Sequence, residues 1–291
     1  MSTTIGCRVP EVFLLVTLMA TCPAADPLPR AGTVRSDNGP DLKLVWCPPG
    51  RFRMGSPPDE EGRQGDEDQV EVTLTHGFWL GRTEVTQAQW KSLMGTEPWR
   101  EHGDLELYRR GPDYPVVFVS HEEAMSCCAK LTDQEQREGR LTADWKYTLP
   151  TEAQWEYACR AGASTRYSFG SDASQLKDYA WFDENAANLG EKYAHRVGQK
   201  RANSWGLADM PGNVYEWCRD AYVREMPGGR DPLTTSGPDR VYRAGSWSYA
   251  SEYCRSANRG WNDPANRFYY LGFRIACVRQ TEDSAAATAE H

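Results

Sequence analysis

Several groups of residues in this chain have types and spacings that could do chemistry. Glu152 and Glu156 lie four apart, so on a helix both carboxylates would share one face and could serve as general acid and base. Asp209 and Glu216 bracket the turn Met210-Pro211-Gly212-Asn213-Val214-Tyr215. Two carboxylates with the carbonyls of a tight turn suit a hard cation. The acidic run at 57–69 (PPDEEGRQGDEDQ) could also attract a cation. It lacks the regular ligand spacing of an EF-hand loop and reads as a solvated charge run. Cys47, Cys127, Cys128, Cys159, Cys218, Cys254 and Cys277 are the thiols that follow the N-terminal segment. No CxxC is paired with a second CxxC or a His pair, which argues against structural zinc. His76, His102, His121 and His195 are scattered, with no HxxxH or HxxE, and no GxSxG, Walker loop or Rossmann fingerprint occurs.

The elements that must position these groups are short. Eleven Trp, fourteen Tyr and twenty-five Gly in 291 residues favour flat rings buried between turns over long amphipathic helices. Alternation predicts strands at 42–46, 52–56, 70–74 and 78–80. Helices are predicted behind three N-caps of one design, Thr86 with Gln89, Ser120 with Glu123 and Thr151 with Gln154. The second helix carries Ala124, Cys128 and Leu131 on one face. On the third, Glu152 is expected to serve the cap and Glu156 to meet an arginine such as Arg160 or Arg274.

The apolar run at 12–20 is too short to span a bilayer. It follows Arg8 and precedes Ala24 and Ala25, the pattern of a secretory signal. The expected organisation is a signal peptide at 1–25, a polar linker at 26–40, one domain at 41–280 and a disordered tail at 281–291. The protein is thus expected to be exported, periplasmic or extracellular, with a lipid anchor at Cys22 as the alternative. Export would let cysteines pair, and seven leaves one over. Forty-one acidic against thirty-three basic residues give a net charge of −8 and no basic stripe for nucleic acid. A mean hydropathy of −0.69 excludes a multi-span membrane protein, and no transmembrane span is expected in the mature chain. No fixed-period repeat appears, which excludes solenoids and propellers.

Six strings occur in order: 52–56 (FRMGS), 83–86 (TEVT), 147–158 (YTLPTEAQWEYA), 205–217 (WGLADMPGNVYEW), 243–247 (RAGSW) and 271–274 (LGFR). Together they resemble the sulfatase-modifying-factor family, that is, the formylglycine-generating-enzyme domain. The resemblance implies an α+β fold, a single domain of low regular secondary structure, related to C-type lectins and held around calcium. It implies a calcium site from the side chains of Asp209 and Glu216 and the carbonyls of Gly212 and Val214, and a second calcium site starting at Asn188 and Leu189. It also implies a chemistry: copper(I) on two thiolates and O2 oxidise a sulfatase cysteine in a Cys-x-Pro-x-Arg segment to an aldehyde. Soft thiolates select Cu(I).

In the family the two cysteines stand three and eight positions past the serine that matches Ser246. Counted that way, Tyr249 replaces the first and Cys254 takes the second. Counted back from Arg255-Ser256-Ala257-Asn258-Arg259, the segment is about three residues short and Cys254 falls just outside. Either way one thiolate is missing. Family cysteines matching Cys128 and Cys159 form disulfides, and their partner positions here hold Ile275 and Ser256. Cys277 and Cys254 stand two residues from those, which leads to expected Cys128–Cys277 and Cys159–Cys254 bridges. The functional reading is a calcium-stabilised binding or accessory module without the copper chemistry. Its cleft is formed by Ser246, Trp247, Tyr249 and Tyr215 and takes a peptide, protein or glycan. The alternative is a formylglycine-generating oxidase acting on a sulfatase, with Cys254 and Ser246 as its residues.

Overall fold

Each of the three predicted caps starts a helix. Thr86, Ser120 and Thr151 accept from the backbone N–H three residues on, and the side chains of Gln89, Glu123 and Gln154 reach back to the cap N–H. The helices are α1 (Gln87–Met94), α2 (His121–Arg137) and α3 (Glu152–Arg160). Such caps contribute about 1 kcal/mol each. The computed structural model describes residue 1 and residues 28–101 and 107–280. Residues 2–27, 102–106 and 281–291, with the expected signal peptide, Cys22, His102 and the tail, lie outside the described residues.

The strands in chain order are β1 (Val34–Arg35), β2 (Leu44–Cys47), β3 (Gly50–Met54), β4 (Val70–Leu74), β5 (Phe78–Gly81), β6 (Trp145–Thr148), β7 (Tyr215–Ala221), β8 (Gly229–Arg230), β9 (Arg240–Arg243), β10 (Gly260–Asn262), β11 (Leu271–Gly272) and β12 (Ala276–Arg279). They form three sheets, ordered β1-β2-β5-β12-β6, β10-β9-β7-β11 and β3-β4-β8. The first is antiparallel throughout, whereas β11 runs parallel to β7 and β8 parallel to β4. The helix α2 buries Ala124, Cys128 and Leu131, as its periodicity predicts, and packs on β6.

Three expectations are corrected. Part of the segment read as a linker at 26–40 belongs to the domain: Val34 pairs with Val45, and the Gly39 N–H donates to Glu135. Two residues are too few to show strand alternation, so nothing local announced the pairing. Glu152 does not serve the α3 cap, which Thr151 and Gln154 complete without it. The acidic run is not solvated throughout: Glu67 is fully buried and bidentate to Arg255, and Asp66 is nearly buried. A partner 188 positions away in sequence leaves no local sign in a charge run.

Candidate functional site

The Arg255–Glu67 pair is one part of a buried ionic framework. Arg243 donates to Glu152 at 2.7 Å, to Glu156 at 2.6 Å and to the Ser256 carbonyl at 2.6 Å. Arg259 forks onto Glu152 at 2.6 and 2.9 Å, and Arg160 donates to Glu156 at 2.8 Å and to the Gly55 carbonyl. Glu152 and Glu156 therefore hold guanidinium groups rather than act as an acid–base pair. Glu156 meets the predicted Arg160 together with Arg243, while Arg274 goes elsewhere. The framework fixes the 55–67 and 255–259 segments against α3.

On that base rests a cleft of about 410 Å3. Tyr215, Tyr242, Tyr249 and Tyr253 form one wall, and Tyr222 and Trp261 the other. Tyr222 and Trp261 stack at 4.1 Å and 13°, and Trp261 is 45% exposed. Asp66, Asn258 and Arg259 give the cleft polar groups. Asp66 accepts from the Tyr222 hydroxyl at 3.0 Å, and Asn258 is only 3% exposed. The edge strand β10 leaves room for Tyr242 by placing Gly260 opposite it; a Cβ there would stand 2.1 Å from the ring. Aromatic walls around a few convergent polar groups are the usual make-up of a ligand site.

The structure brings Tyr215 and Tyr249 together at 5.2 Å on this wall. Ser246 and Trp247 lie behind it, contrary to expectation. Ser246 is fully buried, its hydroxyl 3.1 Å from that of Ser248, and Trp247 is buried near Tyr269. Ala244 (φ 96°) and Gly245 (φ 79°) turn the chain inward there, and a Cβ on Gly245 would come within 2.9 Å of the Cys254 sulfur. Cys254 is 2% exposed and packs with Tyr167, Leu176, Ala180 and Phe182. Burial pushes its thiol far above the usual range, so no thiolate forms at neutral pH. One sealed thiol and one phenol do not fit a two-sulfur copper site.

All seven cysteines from Cys47 to Cys277 are free and buried, and neither expected bridge is formed. Cys128 and Cys277 share a core cluster, but Cys159 and Cys254 lie in different clusters, and the Cys159 thiol points to the Ser256 hydroxyl at 3.7 Å. Being on one strand face does not by itself bring sulfur to sulfur.

The 209–216 loop is tightly wound. Asp209, Gly212 and Asn213 all have φ between 53° and 77°, and a Cβ on Gly212 would meet the Trp181 carbonyl at 2.3 Å. Asn213 is fully buried; it accepts from the His195 N–H and donates to Glu84. Asp209 accepts from the Gly198 N–H through Oδ2, and its Oδ1 is buried without a partner. Burial raises the Asp209 carboxyl to about 6 and, with the neighbouring carboxylates, pushes Glu84 well above the ordinary range. Asp209 thus fits as a ligand of the implied calcium. Glu216 does not: Arg274 donates to both its oxygens at 2.6 Å, and the Trp155 indole N–H adds a bond at 2.7 Å. Asn188 and Leu189 are exposed, Leu189 by 70%. Among the described residues no three of His, Cys, Asp and Glu converge as a ready metal cage. His121 is buried and donates to the Cys218 carbonyl, and His195 stacks on Trp181 at 3.7 Å.

Sequence reasoning missed Asp66, Asn258, Tyr222, Tyr242, Tyr253 and Trp261. The available signal was small-opposite-large pairing: Tyr242 faces Gly260 across β9 and β10. That pairing is visible only once the strands are matched.

The model of the sulfatase-modifying factor enzyme 1-like domain matches residues 31–280. The formylglycine-generating enzyme of Streptomyces coelicolor is 31% identical over 217 residues, covering 69% of this chain and 64% of its own length. The chaperone protein LppX of Paenibacillus barcinonensis is 28% identical over 217 residues, covering 60% of this chain and 71% of the relative. The solved structure of PvdO from Pseudomonas aeruginosa superposes with a TM-score of 0.71 at 26% identity, over 87% of this chain and all of that one. The chain therefore belongs to the sulfatase-modifying factor enzyme 1-like family, and its α+β domain has the C-type-lectin-like fold of formylglycine-generating enzymes.

Proposed function

We propose that this protein is an exported binding or accessory module of the family that has given up two-thiolate copper oxidation and uses the tyrosine-lined cleft to hold a peptide, protein or glycan ligand. The observation that carries this reading is the fate of the two family cysteine positions. Tyr249 stands on the cleft wall, where a phenol is a hard and weak ligand for Cu(I), and Cys254 is sealed into a separate apolar cluster. The aromatic walls with Asp66 and Asn258 support a ligand read by stacking and hydrogen bonds. That relatives carry names as different as formylglycine-generating enzyme and chaperone is consistent with one fold serving several tasks.

The test incubates the protein with Cu(I), calcium and O2 and a Cys-x-Pro-x-Arg peptide, beside an active two-cysteine enzyme, and follows the aldehyde by mass spectrometry. No aldehyde and no copper uptake above background is the expected result. Aldehyde that disappears in Cys254→Ser would reject the proposal. It would establish instead an oxidase acting on a sulfatase cysteine with an unusual copper site.

A further inference from the structure

The wall of the cleft opposite the four tyrosines is built as a platform. The Trp261 ring stacks on Tyr222, and the Arg259 guanidinium lies over the Tyr222 ring at 5.1 Å from its centroid. That guanidinium cannot swing: Nε and Nη2 donate to Glu152, and Nη1 to the Asp66 and Val223 carbonyls at 2.9 and 3.1 Å. The Tyr222 hydroxyl is tied to Asp66 in turn. Trp261 sits at the end of this stack, on the edge strand β10, with Tyr222 against one face. Its exposed surface is therefore the other face and the rim, and the residue lines the cleft. A ring fixed in this way loses little further freedom when something flat settles on it.

The charges around the platform are answered within the protein. Arg160, Arg243 and Arg259 balance Glu152, Glu156 and Asp66 in one ion-paired network. Neither a cation nor an anion would find an unmatched partner there, and the exposed Arg224 at the rim is turned to the Gly65 carbonyl. What the cleft does offer is polar without being charged. A carboxylate that holds one hydrogen bond still accepts others, and the Asn258 amide can donate and accept. An apolar plane beside such groups matches a pyranose ring, which is apolar on its C–H face and rimmed with hydroxyls. We propose, resting on the binding-module reading above, that the ligand of this cleft is a neutral glycan. One sugar ring lies on Trp261 and turns its hydroxyls to Asp66 and Asn258. A peptide is served less well: strand addition to β10 has only three residues to pair with, and a basic side chain would meet a carboxylate that Arg259 already neutralises.

The test titrates the full chain with maltotriose, cellotriose, mannotriose and triacetylchitotriose in turn, by calorimetry and by tryptophan fluorescence. Saturable binding of at least one is expected, with the same affinity at about 50 and 500 mM salt, because no ion pair forms. Trp261→Ala is expected to weaken that binding at least tenfold while melting close to wild type, since the ring is half exposed on an edge strand. Glu71→Gln, an exposed carboxylate on β4 outside the cleft, should bind like wild type. If Trp261→Ala does not fold, Trp261→Phe carries the test, through an affinity below that of wild type. Absence of binding by all four sugars overturns the proposal, and so does binding that Trp261→Ala leaves intact or that salt abolishes. The Cys-x-Pro-x-Arg peptide of the oxidase assay is titrated alongside. If it binds and depends on Trp261 while no sugar binds, the glycan is rejected and the module reading stands. Aldehyde in that assay would instead overturn the reading on which this proposal rests, whether or not a sugar binds.

Discussion

Replacing Arg274 with methionine is expected to unbalance the core more than any other single arginine substitution. The side chain donates to both oxygens of the fully buried Glu216 at 2.6 Å and to the carbonyls of Gly81 at 2.9 Å and of Ala208 and Asp209 at 3.2 Å. Methionine fills much of the volume and supplies no donor. Glu216 keeps only the Trp155 indole N–H, so it becomes a buried charge without a counterion, a loss of about 3–5 kcal/mol. The stranded carbonyls add about 1 kcal/mol or more. A total of roughly 4–6 kcal/mol is a large part of the ~5–15 kcal/mol that holds a typical domain together. At about 2–4 °C per kcal/mol for a domain of this size, the melting temperature should fall by about 10–20 °C. Thermal and urea unfolding in chelator, followed by near-UV circular dichroism, measure this directly. The double variant Arg274→Met/Glu216→Gln should recover half or more of the loss, because glutamine needs no counterion and can still accept from Trp155. A single-variant loss below about 1 kcal/mol, or a double variant no more stable than the single, would refute the reasoning.

Burial moves two other titratable groups in opposite directions. Asp220 is raised to about 7 and His121 is lowered to about 4. Asp220 therefore contributes stability that is full below its unfolded value near 4 and lost as the pH rises through 7, whereas the His121 contribution is full above about 6.5 and lost as the pH falls toward 4. The stability of Asp220→Asn relative to wild type should improve by up to about 1.4 kcal/mol per pH unit between pH 4 and 7; a difference independent of pH in urea midpoints would count against the assignment. Gly260→Ala should push the Tyr242 ring off β10, lower stability by about 1–3 kcal/mol and change the tyrosine fluorescence of the cleft, and a variant that melts like wild type would mean the ring is not held there. The seven buried thiols should resist alkylation in the native protein, and after non-reducing unfolding Cys159 and Cys254 should be recovered in separate alkylated peptides rather than in one cross-linked species.

Local signals were readable and remote ones were not. The three helix starts follow from side chains three residues apart, and the family strings placed the 209–216 turn and the tyrosine at 249. The ionic framework was hidden, because Glu152 and Arg259 meet across 107 positions and each alone resembles a surface charge. Trp247 looked like a cleft residue from its place beside Tyr249. The left-handed turn at Ala244 and Gly245, however, sends it into the core, and no side-chain pattern announces that. Glu84 carries a helix-entry motif in sequence, and only its bond from Asn213 shows that it is buried against the 209–216 loop.

The position of β12 bears on how the chain is made. Ala276 pairs with Leu80 of β5 on one side and Thr148 of β6 on the other, so nearly the last residues described join the edge strand β6 to the rest of the largest sheet. A ribosome adding about 5–20 residues per second needs on the order of 10–40 s to travel from β5 to β12. Throughout that interval the facing edges of β5 and β6 have no strand between them, and open edges recruit other chains. The chain must be made through β12 before this sheet can close. A message truncated ahead of codon 276 should yield not a smaller stable domain but a sticky intermediate, a natural client for holding chaperones.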